Sequence, residues 1–242
     1  MDSEPFSGQQ YSEFMARLCA ERGVETYLEI GVENGLNLQK IQAREAYAVD
    51  PAFKFTIDPS VNKSSVVLFR GPSDSFFRSK FARIMASEGV DFAFLDGMHL
   101  FEYLLRDVYN TESCSNSWGL IALHDCMPFN SEMIERVLNL PGRKLKYSGA
   151  WTGDVWKIVP ILRKYRPDLT IRLVDCAPTG LVFITNLDRK NTILKDAYLD
   201  IVEEFMAMPN DADSLERYYR DNKVYSAAEI GNDYSQSLFF RT

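Results

Sequence analysis

The chain has 242 residues, 46% of them hydrophobic and 25% charged, with a formal net charge of −7. That apolar share can fill the core of one sizeable α/β domain, and the acidic balance without a long basic run argues against nucleic acid or anionic membranes as partners. No apolar run approaches the roughly 18 residues of a membrane-spanning helix, and the opening MDSEPFSGQQ lacks the basic and apolar regions of a signal peptide. The four cysteines, Cys19, Cys114, Cys126 and Cys176, form no CxxC pair, so free thiols and a cytoplasmic location are expected.

In chain order, residues 8–22 read as an amphipathic helix with Phe14 and Leu18 on one side. Tyr27–Ile30 is a short strand ending at Gly31, and Leu36–Gln42 a helix. Ala46–Val49 is a second strand closing on Asp50-Pro51, and Ser65–Phe69 a third closing on Arg70-Gly71-Pro72. Ser73 is a plausible N-cap for a helix running to about Ser87. Val90–Leu95 is a fourth strand, followed by a helix from His99 to about Tyr109. Trp118–Leu123 is a fifth strand ending in His124-Asp125, with a helix around 131–139 and another over Val155–Tyr165. Thr170–Val174 and Leu181–Thr185 are the last strands, joined through Ala-Pro-Thr-Gly, and 192–207 and 212–221 read as helices. Strands spaced by helices imply a mostly parallel sheet covered on both faces.

In such sheets ligands gather at the carboxyl ends of the strands, so Gly31, Asp50, Gly71, Asp96 and His124-Asp125 carry the chemical interest. Gly31 permits a sharp turn and close approach of a ligand, Gly35 relieves crowding where the next helix begins, and Asn34 and Asn37 can cap it. The GxxxG spacing is not the GxGxxG of dinucleotide proteins. Asp50, some twenty residues on, is placed to accept hydrogen bonds from ribose hydroxyls, or else to initiate the Asp-Pro turn. Three residues past Asp96, His99 titrates near neutrality and suits a base; capping or packing is its other reading. His124, at the adjacent strand end, either lines the same crevice or bonds the backbone. Asp107 and Glu102 read as a structural and a solvated acid. Trp151 and Asp154 are open to a substrate role, Trp156 packs into the core, and Lys157, Arg163, Lys164 and Arg166 make a solvated helix face.

Leu28–Gly35 with Tyr47–Pro51 resembles the first two motifs of class I S-adenosylmethionine-dependent methyltransferases. Phe94–Tyr103, Arg106–Val108 and Gly119–Asp125 are similar to small bacterial O-methyltransferases, with their Asp-Gly-x-His step and a fifth strand ending in His-Asp or Asp-Asp. The resemblance covers about residues 25–130, with a looser echo to 186. It implies a Rossmann-like, mostly parallel seven-stranded sheet whose final strand is antiparallel. The organisation expected is an N-terminal helix (1–24), an S-adenosylmethionine-binding methyltransferase domain (25–186) and a helical extension (187–242), whose aromatics could serve a homo-oligomer or plain packing.

By the same resemblance Glu29, Gly31 and Gly35 would shape the methionine and ribose end of the cofactor site, and Asp50 would bind the ribose. Ser73 and Asp74 would lie at the adenine, with helix capping as the alternative. Asp96 would sit beside the transferred methyl and, with Asp125, would hold a divalent metal such as magnesium, although relatives usually offer two carboxylates, or an acid and an amide, where this chain has His124-Asp125. The expected activity is O-methylation of a hydroxyl on a small molecule, a sugar or natural product, with His99 as base and Asp96 as its catalytic neighbour. The rival readings are a nicotinamide-dependent oxidoreductase on a similar sheet and a non-catalytic binding protein that keeps the cofactor fold.

Overall fold

A computed structural model of the protein describes residues 4–138, 151–230 and 239–240. Among the described residues, eight strands form one sheet: β1 (Thr26–Ile30), β2 (Ala43–Asp50), β3 (Lys63–Arg70), β4 (Val90–Leu95), β5 (Ser115–His124), β6 (Thr170–Val174), β7 (Leu181–Thr185) and β8 (Val224–Tyr225), in the order β3-β2-β1-β4-β5-β7-β6-β8. β1 to β5 are parallel, and β7 runs antiparallel to both β5 and β6. The short β8 lies parallel to β6 and adds an edge to the seven strands expected. It is too short to carry a hydrophobic period, so its pairing comes from tertiary packing.

The α-helices among the described residues are α1 (Tyr11–Arg22), α2 (Leu36–Lys40), α3 (Ser73–Phe77), α4 (Lys80–Glu88), α5 (Phe101–Cys114), α6 (Ile158–Tyr165), α7 (Ile193–Asp196), α8 (Tyr198–Met206) and α9 (Ala212–Asp221). All five residues of β1 are buried, as a strand covered on both faces requires. Tyr27, Phe92, Phe94 and Ala122 pack on one face against Phe14 and Leu18 of α1 and Leu38 of α2. Leu28, Ile30, Leu95 and Ile121 pack on the other against helices that include α4, α5 and α6, and Ile201 and Leu215 bring α8 and α9 into the same core. All four cysteines are free and buried, and no helix among the described residues is long and apolar enough to cross a membrane.

Several expectations need correction. The helix expected from Ser73 to Ser87 is two: Pro72, not Ser73, is the cap residue of α3, and the hydroxyl of Ser79 caps α4 by accepting from the amides of Phe81 and Ala82. The Ser79 hydroxyl satisfies amides that the start of a helix leaves without an intrahelical partner, so a new helix starts there. The helix expected around 131–139 is absent from its described part; residues 131–134 are turns, and Asn130 accepts from the amides of Glu132 and Met133. The run 192–207 is divided between α7 and α8. His99 lies ahead of α5 rather than in its first turn.

The basic stretch after Trp156 is not a solvated face throughout. Lys157 and Arg166 are buried. Lys157 donates to the carbonyls of Phe205 and Met208. Arg166 grips the Glu112 carboxylate with both terminal nitrogens, at 2.6 and 2.8 Å, and also pairs with Asp168. Glu102, expected in solvent, is paired with Arg136. Trp156 packs in the core as expected, its indole donating to Asn210.

Candidate functional site

The strand order reverses between β1, with β2 on one side, and β4 on the other, and a crevice opens there beyond the carboxyl ends. Ile30 pairs with Val49 and Leu95, and Leu95 with Leu123, so the ends of β2, β1, β4 and β5 are level. The residues that follow therefore face one cavity of about 770 Å³. Glu29, Gly31, Asp50, Ser73, Asp74, Asp96, His99 and Asp125 all line it. Gly35 does not: the Phe55 ring packs where its Cβ would be, 2.7 Å away. Gly31 adopts φ 83°, and a Cβ there would lie 1.8 Å from the Asp96 carbonyl oxygen, so only glycine lets the β1 and β4 loops pass this closely.

At one end of the cavity, Glu29 accepts from the Tyr27 hydroxyl at 2.7 Å and from Asn37 at 2.8 Å. Burial pushes its carboxyl up to about 7, against the opposing pull of those two hydrogen bonds. Asn37 is thus a partner of Glu29 rather than a cap, and its Oδ1 is buried with no hydrogen-bond partner among the described residues. Asp50 accepts the amides of Val32 (3.0 Å), Glu33 (2.8 Å) and Ala52 (2.6 Å), so it both shapes the Gly31 loop and makes the Asp-Pro turn. Each carboxylate oxygen has more than one acceptor site, so it can also take hydroxyl donors from the cavity.

Towards α3, Asp74 is held by Arg106 at 3.0 Å, and Ser73 hydrogen-bonds Asp107. Asp107 also lines the cavity, where burial lifts its carboxyl to about 7. Its place was not evident from sequence, because two helical turns past His99 reads as remote until α5 is laid along the crevice.

The centre is built from the ends of β4 and β5. His99 Nε2 lies 3.3 Å from Asp125 Oδ2 and 3.6 Å from Asp96 Oδ1. His124 Nδ1 approaches the same two oxygens, at 3.4 and 3.3 Å. Asp125 has φ 57°, a left-handed conformation that Asp tolerates better than most residues and that turns its carboxylate back over the sheet end. Burial alone would raise Asp96, but the His124 and His99 imidazoles outweigh it and hold the carboxyl at about 2. Burial opposes charging of the histidines, yet the facing carboxylates lift both above the ordinary value.

Each ring is fixed from behind. The other nitrogen of His99, Nδ1, is 2.9 Å from the Trp151 carbonyl, and the indole stacks on the imidazole at 4.9 Å and 25°. Gly153, at φ 57°, passes so close that a Cβ would lie 1.8 Å from the His99 carbonyl oxygen. Asp154, wholly buried, accepts the Phe101 amide at the start of α5 and pairs with Arg136 and Lys157, which ties this strap to the helix behind His99. Tyr11 of α1 closes the other side, its ring 4.3 Å from that of His124. The sequence carries no sign of that role, since Tyr11 reads only as part of an amphipathic helix.

A second recess, of about 450 Å³, lies at the opposite end of the sheet near Cys19, Arg44 and Lys63. The Lys63 ammonium there is spent on the carbonyls of Leu38, Ile41 and Val61.

Among solved structures, cofactor-bound Rv0187 from MTB matches at a TM-score of 0.50 and 15% identity, over 74% of this chain and 80% of that one. The SAH-bound methyltransferase PaMTH1 of Podospora anserina matches at a TM-score of 0.50 and 15% identity, over 73% and 78%. The chain has a methyltransferase-like Rossmann fold. No family model and no curated protein matches it. At this identity the likeness is one of fold, and a fold of this kind carries many unrelated activities. In open α/β sheets ligands bind at such a reversal of strand order, and the Asp96–Asp125 centre lines that cavity.

Proposed function

We propose that the protein is an S-adenosylmethionine-dependent O-methyltransferase acting on a hydroxyl of a small molecule, a sugar or natural product. The observation that carries the reading is the meeting of His99, Asp96 and Asp125 at one end of a cavity whose other walls hold Glu29, Asn37 and Asp50. The cavity chemistry fits the cofactor. The orphaned Asn37 Oδ1 and the Glu29 carboxyl suit the ammonium of a methionine moiety. Asp50 offers acceptor sites to a ribose, with its orientation already fixed by three backbone amides. When bound, the cofactor supplies an electrophilic methyl group.

The chain's own residues would do the rest. His99 Nε2 points at the crevice and can take the proton of an acceptor hydroxyl. Its Nδ1, held on the Trp151 carbonyl, is the protonated nitrogen in the neutral ring, so the lone pair that acts as base is on Nε2, between the Asp96 and Asp125 carboxylates. Trp151 and Gly153 keep the ring from rotating away, so the base is in position before the acceptor arrives. Asp96 and Asp125 fit a divalent ion such as magnesium through carboxylate oxygens. A bound ion would lower the pKa of the acceptor hydroxyl and share the work of His99.

Substitution of His99 by Ala tests the reading. The variant should bind S-adenosylhomocysteine as the wild type does and lose turnover across a panel of hydroxylated acceptors. Unchanged turnover would remove His99 from the mechanism.

A further inference from the structure

His124 has no role in the scheme above, yet it faces the same two carboxylates as His99. Its Nδ1 lies 3.3 Å from Asp96 Oδ1 and 3.4 Å from Asp125 Oδ2. One donor atom from each of the three residues can be chosen so that all lie within 4.8 Å of one another. Donors that share an ion at about 2.0–2.2 Å must themselves come to about 3 Å from their neighbours. A small inward movement of these side chains would meet that condition.

The other side of the ring supplies an independent observation. Nε2 lies 3.4 Å from the hydroxyl of Thr179, which is buried in the turn between β6 and β7. Imidazoles that hold metals are commonly oriented in this way, with the second nitrogen tied to a protein acceptor so that the first presents its lone pair. The ring is also wedged between Tyr11, at 4.3 Å, and Phe94, at 5.7 Å. Packing has therefore set the direction of Nδ1 before any ion is present.

We propose that His124 Nδ1 is the third ligand of a divalent-metal site completed by Asp96 and Asp125, and that its nitrogen turns the site from magnesium towards a first-row transition ion such as cobalt or zinc. The proposal rests on the metal-assisted reading above and goes beyond it in the donor set and the ion. Magnesium is a hard ion that takes oxygen ligands and keeps several waters, so two carboxylates alone would suit it. Imidazole nitrogen favours later divalent ions. The three donors approach from the ends of β4 and β5 on one side and open onto the cavity on the other, which leaves room for water or an acceptor oxygen.

The test uses the full chain stripped of metal, with cobalt, zinc and magnesium chlorides as probes and calorimetry and the cobalt visible spectrum as readouts. Any mixed site binds cobalt more tightly than magnesium, so the deciding quantity is how the ratio of their dissociation constants changes on substitution. H124D, which restores an oxygen ligand, should strengthen magnesium and weaken cobalt, collapsing the ratio by about a hundredfold, and should change the cobalt spectrum. Thr179→Val removes only the anchor of the ring and should weaken cobalt about tenfold or more while leaving magnesium within a factor of about three. It is the reserve should H124D fail to fold.

A ratio unchanged in either folded variant, or a cobalt spectrum identical in the wild type and H124D, would overturn the proposal. If no ion binds the wild type, the metal part of the proposed function falls with it. Titration of the same samples with S-adenosylhomocysteine reports separately on the cofactor part.

Discussion

At the scale of single residues, the site depends on groups held away from their preferred states. Asp107 and Glu29 are both lifted to about 7 by burial, from ordinary values of 3.8 and 4.5. An acid held above its unfolded value binds its proton more tightly in the folded chain. Its stabilising contribution is therefore complete below the unfolded value and is lost as pH rises through the window up to about 7. Each group can cost up to about 1.4 kcal/mol per pH unit inside that window. Asp107→Asn should accordingly gain on the wild type in urea midpoint between pH 4.5 and 7.5; parallel midpoint curves would contradict the assignment. Gly153→Ala makes a second prediction. The added methyl has no room beside the His99 carbonyl and the backbone stands at φ 57°. Turnover should fall about a hundredfold with cofactor affinity little changed, because a misplaced base loses orientation rather than binding.

At the scale of elements, the buried Arg166–Glu112 pair joins the segment after α6 to α5. Glu112 also accepts the Asp188 amide. Arg166→Ala would leave that carboxylate buried and without its cation, and should cost about 3–5 kcal/mol in denaturant unfolding. A loss below about 1 kcal/mol would mean that water reaches Glu112.

The same elements show what can be read from sequence. β4, β6 and β7 are found where their apolar runs place them, because a short buried run between turn residues has few other solutions. Asp96, His99 and Asp125 were legible as a group because each ends or follows a strand, and a parallel register brings such positions level. Local spacing cannot show where one element meets another across the sheet. Arg166 looked like part of a solvated face since its partner lies far away on α5. The break at Ser79 was hidden by a pattern that runs apolar through both helices. The pairing of His124 with Thr179, and of Tyr11 with His124, needs the β6–β7 turn and α1 to be folded over β5.

At the scale of the whole molecule, α8, α9 and β8 beyond β7 are built into the same body as the sheet. Ile201 of α8 and Tyr218 of α9 are buried in the core shared with β4 and α5, and β8 joins the sheet. Ile201→Ala should then destabilise the protein as a core truncation does, by about 2–5 kcal/mol in a single cooperative transition. Two separate transitions would instead mark the segment as an independent unit. The parallel half of the sheet sets the strand ends level, and the antiparallel β7 brings Thr179 back against β5. α1 covers the crevice from the front with Tyr11.

The proposed function requires that this crevice bind S-adenosylmethionine. Calorimetric titration of the wild type with S-adenosylhomocysteine tests it most directly. Saturable binding at one site per chain is expected, weakened at least about tenfold by Asp50→Asn because an amide is a poorer acceptor for the ribose hydroxyls than a carboxylate. No heat of binding with S-adenosylhomocysteine, together with saturable binding of a nicotinamide dinucleotide, would contradict it.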